Sequence, residues 1–519
     1  MRREFVIMIA VIYIIIFFAV ILGIGFYSRK MVSSSSDFLL AGRGLGTGIN
    51  ATGVMASGFA GTTISLAPAF FIMYGFKGII IFALAVSVVG FMLYGLLFSK
   101  VIRRCGATTL MEWLEMRFDG RVRRVLTITG FIGMVAMCAN NCLAMANVLS
   151  GYFGWSNYFT VALSVIVFLL FTYFSGMWGI SMTDVLQALI GCVGVPILII
   201  ACVKTFGGFE LAATNWAASY GGNLWGSGIS GMVLKNFSPV YPSALTLFLN
   251  TGVLLIWCGN HYWIRCASCR TEKVARKSTV LGGLILLVIS LAIGVIGFYG
   301  GSFLGDQFTL GGGTIDPGAG YGTVISYFPQ ALGAFLLVFA LAAALSTCSG
   351  TLLGAVSIAT KDIYPLFINK NATEEQIRKA AKVATIIVSA IAWLLAYYPG
   401  GITFLTAFAT AWMAPAGLLF IIGIIWRRTT PKAALIAGAI TLILESTWVV
   451  LDLTKIPIMG QPIGSYFHMG IVGVLSAIIP TLIATIVTKP KYYGTKEWAS
   501  KWKTQMDSYK ITSYSAKQS

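Results

Sequence analysis

The stretch LAAALSTCSGTLLGAVSIATKDIY, Leu341 to Tyr364, sets three hydroxyls, Ser346, Thr347 and Ser349, in a run of small and aliphatic residues. At about 100° per residue, Ala343, Ser346 and Thr347 fall on one helix face. Two readings of that face stand side by side. Serine and threonine inside a helix can bond back to carbonyls one turn earlier and do nothing more. Sodium offers the other reading, because a hard cation wants several oxygen ligands. Two hydroxyls and a carbonyl lone pair supply about three, and carbonyls freed at a neighbouring helix break could complete the shell without a buried carboxylate.

Other chemistry finds little support. Paired carboxylates, a Cys-His or Ser-His-Asp set and a phosphate-cradling glycine loop are all missing near the ends of the apolar runs, so no enzyme is expected. Cys266 and Cys269 form a lone CxxC, and the chain has only two histidines, His261 and His468. A structural zinc site needs four ligands, so sodium is the only metal expected.

The setting follows from composition. Hydrophobic residues make up 57% of the 519 and charged residues only 10%, against about 25% charged in an ordinary soluble chain; the mean hydropathy is +0.86. Apolar runs of roughly 20 residues recur, each long enough to cross a bilayer as a helix. The fold class expected is an all-α polytopic membrane protein with about thirteen transmembrane helices. Their spans are 4–28, 46–75, 77–103, 123–152, 158–178, 181–204, 242–266, 276–303, 326–360, 374–398, 402–425, 431–453 and 466–488.

Lysine and arginine gather in the loops Lys100–Arg124, Arg265–Lys277, Lys361–Lys382 and Arg427–Lys432 and in the tail from Lys489. With thirteen spans these lie on one side, the cytoplasm by the positive-inside rule. That puts the N-terminus outside and the C-terminus in the cytoplasm of a plasma-membrane protein. The formal charge of +19 is then a topology signal that also attracts anionic lipids. The lipid bilayer is an expected partner; nucleic acid is not, and no obligatory protein partner is evident.

Two helices look broken. The second carries Gly53, Gly58 and Gly61, then Thr62, Thr63 and Pro68; the seventh carries Asn250, Gly252, Gly259 and Asn260. Transporters use such breaks to hold ions and solutes with freed backbone groups, although packed membrane helices also tolerate glycine and proline. The breaks open two successive five-helix blocks, the pattern of a 5+5 inverted repeat of the LeuT type. The expected organisation is an extra helix and loop (1–45), a first repeat (46–204), an extracellular loop (205–241), a second repeat (242–426), two peripheral helices (427–488) and a basic tail (489–519).

Several separated motifs now resemble the sodium:solute symporter family of proline, pantothenate, sugar and monocarboxylate carriers. "DFLLAGRGLG" is similar to the family's loop before the first core helix, and "TTLMEWLEMRF" to its T-x-x-E-x-L-E-x-R-F segment. "SMTDVLQA" matches its TDxxQ motif, and "AALSTCSGTLLGAVSIATKDIY" its sodium-site helix. "WCGNHYWIRCASCRTEKVARKS" resembles its W-G-x-N-Q-x-x-x-Q-R segment. The resemblance implies a sodium site from the carbonyls of Ala56, Phe59 and Ala343 and the hydroxyls of Ser346 and Thr347. It offers a second ion site, or an ion exit, at Asp184 and Ser349, with Gly350 where another serine occurs.

The resemblance also bounds the solute. Gly58 stands where several members have aspartate, His261 and Ile264 replace family glutamines, and Thr63 replaces a sugar-carrier glutamine. Sugar is disfavoured. The core helices are read as free of lysine and arginine. Thr62, Thr63, Asn141, Asn250, Asn260 and Trp412 are the solute-pocket candidates; each asparagine could equally be an interhelical hydrogen bond. The expectation is a sodium-coupled importer of a small organic solute working by alternating access. A solute sensor, or an uncoupled uniporter, on the same scaffold is the alternative.

Overall fold

The helix Thr47–Gly58 stops where glycines begin to recur, and a second helix, Gly61–Ala83, resumes beyond the break. The same event recurs in the second half of the chain. Wide π-type turns over Phe248–Trp257 end at Cys258, Gly259 is extended (φ −76°, ψ 118°), and the helix Asn260–Ala267 starts afresh. Both breaks lie where the glycines predict them. The computed structural model describes residues 2–59, 61–221, 224–229, 234–240, 242–308, 320–397, 401–426 and 428–488, without the side chains at 2–7, 62, 175 and 403.

The named secondary-structure elements among these residues are all helices. Among the described residues, ten helices are long and apolar enough to cross a membrane. The expected spans 46–75 and 77–103 contribute one such stretch, Thr63–Leu97; Ala244–Trp257 is apolar but shorter. The helix Glu374–Leu395 is not among the ten; it carries Glu374, Glu375, Arg378, Lys379 and Lys382 in its first turns. Gly75 (φ 64°, ψ −157°) and Gly176 (φ 53°, ψ −162°) each turn one helix into the next, in conformations that cost a residue with a Cβ.

Gly120–Phe153 and Gln330–Ile368 are the most enclosed spans. They pack on each other, and Gln330–Ile358 also packs on Thr47–Gly58. This arrangement sets the three-hydroxyl helix beside the first break. The π-type segment Leu84–Met92 packs against Phe248–Trp257. There the Trp257 indole donates to the carbonyls of Val89 and Gly90, both at 3.0 Å, which satisfies oxygens that a regular helix would have bonded itself.

The polar motifs outside the spans act as fasteners. In the TTLMEWLEMRF segment Thr109 caps the helix Leu110–Arg117. Arg117 Nε donates to the Gly423 carbonyl at 2.8 Å, and Glu112, Glu115 and Asp362 converge on Arg123. Leu45 pairs its backbone with Ser268 (3.1 Å) and Arg270 (3.0 Å). The chain entering the first broken helix is thereby tied to the chain leaving the second.

Candidate functional site

A helix end leaves its last four carbonyls without helical partners; here Met55 and Gly58 are bonded, while Ala56 and Ser57 share one hydroxyl, with the Tyr262 hydroxyl 3.4 Å from Ser57 as well. Met55 accepts from the Phe59 amide at 2.7 Å, and Gly58 from the Thr63 hydroxyl at 2.7 Å. Between them, the carbonyls of Ala56 and Ser57 lie 3.2 Å and 3.3 Å from the Thr347 hydroxyl. Ala343's carbonyl, one turn earlier on Thr347's own helix, is 3.4 Å away. Three backbone oxygens therefore converge on one buried hydroxyl. Phe59 caps the helix end, its ring 5.2 Å from that of Phe339; the carbonyl accompanying Ala56 at Thr347 is that of Ser57.

Ser346 donates to Asp184 Oδ1 at 2.5 Å. Its proton is thus given to the carboxylate, and its oxygen keeps lone pairs that can accept. Asp184 Oδ2 lies 2.6 Å from Arg265 Nη2, and both side chains are buried. Reading the core as free of lysine and arginine is therefore wrong for Arg265, which the sequence places at the start of a basic loop. The restart at Gly259 carries it inward, and Gly53 makes room: a Cβ there would stand 2.4 Å from Arg265 Nη1 and 3.0 Å from Asp184 Oδ2. Its place as the terminal arginine of the W-G-x-N-Q-x-x-x-Q-R segment was the available signal. Ser349 bonds back to the Leu345 carbonyl at 2.7 Å.

Thr347 lines a small cavity of about 10 Å³, roughly the space of a single water. Its oxygens come from Thr63, Thr251, Thr347, Thr406 and Tyr262, and its apolar walls from Leu66, Phe82, Val86, Met137 and Leu255. No charged side chain lines it. Thr347 belongs to both the oxygen cluster and the cavity.

Among the pocket candidates, Thr63 lines the cavity, while the side chain of Thr62 lies outside the described residues. Asn260 bridges three elements instead, accepting from the Leu110 amide (3.0 Å) and donating to the Gly354 carbonyl (3.0 Å) and the Ser357 hydroxyl (2.8 Å). Asn250 accepts from Thr410. Asn141 bonds back to the Met137 carbonyl at 2.9 Å, whereas its neighbour Asn140 reaches the cavity residue Thr406 at 2.9 Å. Trp412 packs with Trp448 and Met469 of the last two helices. Sequence reasoning missed Thr251, Tyr262 and Thr406, which line the cavity while their hydroxyls donate to the carbonyls of Leu247, Ser57 and Ile402.

The family model for the sodium:solute symporter family matches residues 38–441. The chain is 24% identical over 504 residues to sodium/proline symporter 2 of Staphylococcus saprophyticus, covering 92% of this chain and 90% of that one. It is 28% identical over 454 residues to sodium-coupled monocarboxylate transporter 2 of Danio rerio, covering 83% and 70%. A substrate-bound, outward-open Na+-coupled sialic acid symporter superposes with a TM-score of 0.75 at 19% identity, covering 93% of this chain and 98% of that chain. At that identity the likeness speaks to the fold. The relatives are transporters, not enzymes, and with a family match across most of its length this chain belongs to the sodium:solute symporter family.

Proposed function

We propose that this chain imports a small organic solute together with sodium by alternating access. The observation that carries the proposal is Thr347, whose hydroxyl meets the carbonyls freed at the first helix break and also lines the central cavity. Sodium held by Ala56, Ala343, Ser346 and Thr347, with Phe59 or Ser57 completing the backbone set, joins the broken helix to Gln330–Ile358. An ion bound by two elements at once favours the state in which they are close, and that differential affinity is what coupling requires.

The solute class follows from charge. The cavity is lined by hydroxyl-bearing and apolar residues and no charged side chain, and Asp184 and Arg265 cancel each other elsewhere in the core. A single sodium ion then leaves one uncompensated positive charge. We infer that the solute sets a carboxylate near that charge, as a monocarboxylate or the carboxylate end of an amino acid can. A polyhydroxylated sugar would find too few hydrogen-bond partners here.

The same proposal takes thirteen crossings, with the N-terminus outside and the C-terminus in the cytoplasm of a cell membrane. It also takes two inverted five-helix repeats, 46–204 and 242–426, flanked by the N-terminal helix and two peripheral helices. The test is uptake into proteoliposomes of a panel of radiolabelled short monocarboxylates, amino acids and sugars under an inward sodium gradient. Sodium-dependent accumulation of a carboxylate-bearing compound is expected. Uptake of every accumulated compound unchanged when potassium replaces sodium would remove the coupling claim.

A further inference from the structure

We propose that one anionic phospholipid docks on the helix Glu374–Leu395, its phosphate held by Arg29, Arg378 and Lys382 and one acyl chain lying in an apolar groove beside Val383. A cavity of about 480 Å³ is lined by Arg29, Arg378, Lys379 and Lys382, with Tyr173 and Phe174 among its walls. Its cations come from distant parts of the chain. Arg29 follows the N-terminal helix Arg2–Ser28, and the others stand in the first turns of Glu374–Leu395. Lys379 pairs with Glu375 at 2.9 Å. Arg29, Arg378 and Lys382 form no ion pair among the described residues; Lys382 Nζ stands 5.4 Å from the centroid of the Tyr173 ring. Like charges around one space repel each other until an anion sits among them, and arginine and lysine are the usual partners of phosphate.

A second cavity, about 520 Å³, is a groove between Gly120–Phe153, Ala359–Ile368 and Glu374–Leu395. Phe131, Ile363, Ile368, Val383 and Ile387 wall it, and Gln376 and Lys379 mark the end nearest the helix's first turns. Lys379 lines both cavities. At about 100° per residue it lies about 60° around the helix from Lys382 and about 40° from Val383, so it connects them across the exposed side. Beyond it Val383, Ile387, Ile391 and Leu394 are exposed at helical spacing, a stripe suited to acyl chains. A soluble anion would use the first cavity alone, whereas a phospholipid uses both. A zwitterionic headgroup would bring its own ammonium against the cations. The same placement explains why this helix carries so many cations for a membrane span. None of these residues lines the central cavity, so the site stands or falls independently of the sodium reading.

Native mass spectrometry of the full-length protein counts retained lipid after titration with phosphatidylglycerol or with phosphatidylcholine of the same chains. Wild type is expected to keep one phosphatidylglycerol per chain under conditions that strip phosphatidylcholine, and inorganic phosphate should not displace it. Arg378→Gln with Lys382→Gln should weaken retention by about fivefold for each cation removed. Ala384→Phe, which narrows the groove, should weaken it with every cation in place. Arg276→Gln with Lys277→Gln removes two exposed cations that line neither cavity and should change nothing. If the first double variant does not fold, Arg29→Gln, on another segment, must show the loss instead. Equal retention of the two lipids, or an equal loss in the Arg276 and Lys277 variant, would overturn the site in favour of diffuse attraction. Displacement by inorganic phosphate, or a groove variant that binds as wild type does, would overturn the lipid as its occupant.

Discussion

Arg265 and Asp184 meet 2.6 Å apart in the protein interior, joining the helix that restarts after the second break to the helix that follows Gly176. Neither charge has comparable access to water. A pair of this kind adds little net stability relative to a well-packed apolar pair, but removing one partner strands the other. Asp184→Asn alone is expected to cost about 3–5 kcal/mol, and the pair replacement Asp184→Asn with Arg265→Met markedly less. Thermal midpoints of the three proteins in one detergent check the order. A double variant as unstable as Asp184→Asn would mean that the two residues act separately.

Gly53 carries a related expectation. Alanine is ordinarily about 1 kcal/mol better than glycine inside a helix. Here the added Cβ would stand 2.4 Å from Arg265 Nη1, so Gly53→Ala should lower the melting midpoint instead of raising it. Combining it with Arg265→Met should remove that penalty. An increase in midpoint for Gly53→Ala alone would contradict the packing described.

The central cavity, proposed as the solute site, makes a different demand. Met137 forms part of its apolar wall, and Met137→Ala removes volume without touching the oxygens around Thr347. The variant should keep sodium binding while accepting longer aliphatic carboxylates as inhibitors of uptake. An unchanged inhibition profile would place the solute elsewhere.

Glu445 lies in Pro431–Thr454, fully buried, with neither carboxylate oxygen hydrogen-bonded among the described residues. A Cβ at Gly473 on the following helix would stand 3.1 Å from its Oε1. A buried carboxyl without partners is costly to the fold. Glu445→Gln preserves its shape and removes the chance of a buried charge, so the midpoint should stay level or rise with sodium binding intact. Loss of transport in this variant would give the peripheral helices a functional part that the present account does not.

Much of the site was legible in the sequence because glycine and hydroxyl positions speak directly about backbone. Gly58 and Gly259 mark the two breaks, and Thr347, on the face it shares with Ala343 and Ser346, meets the first of them. Residues whose role depends on neighbouring helices were harder to read. Arg265 looks like one more loop cation until Gly53 and Asp184 supply its berth. Asn260 looks like a solute ligand until Leu110, Gly354 and Ser357 take up its amide. Asn140 and Asn141 are adjacent in sequence but about 100° apart around a helix, so only one of them reaches Thr406.

Sodium-dependent thermal stabilisation tests the central claim most directly, comparing wild type with Thr347→Ala in sodium and in potassium at equal ionic strength. A ligand that binds only the native state stabilises it by about 2.7 kcal/mol at one hundred times its dissociation constant. The account predicts a midpoint that rises with sodium but not with potassium, and a rise that Thr347→Ala largely abolishes. A wild-type midpoint indifferent to sodium, or a Thr347→Ala protein that responds as wild type does, would contradict it.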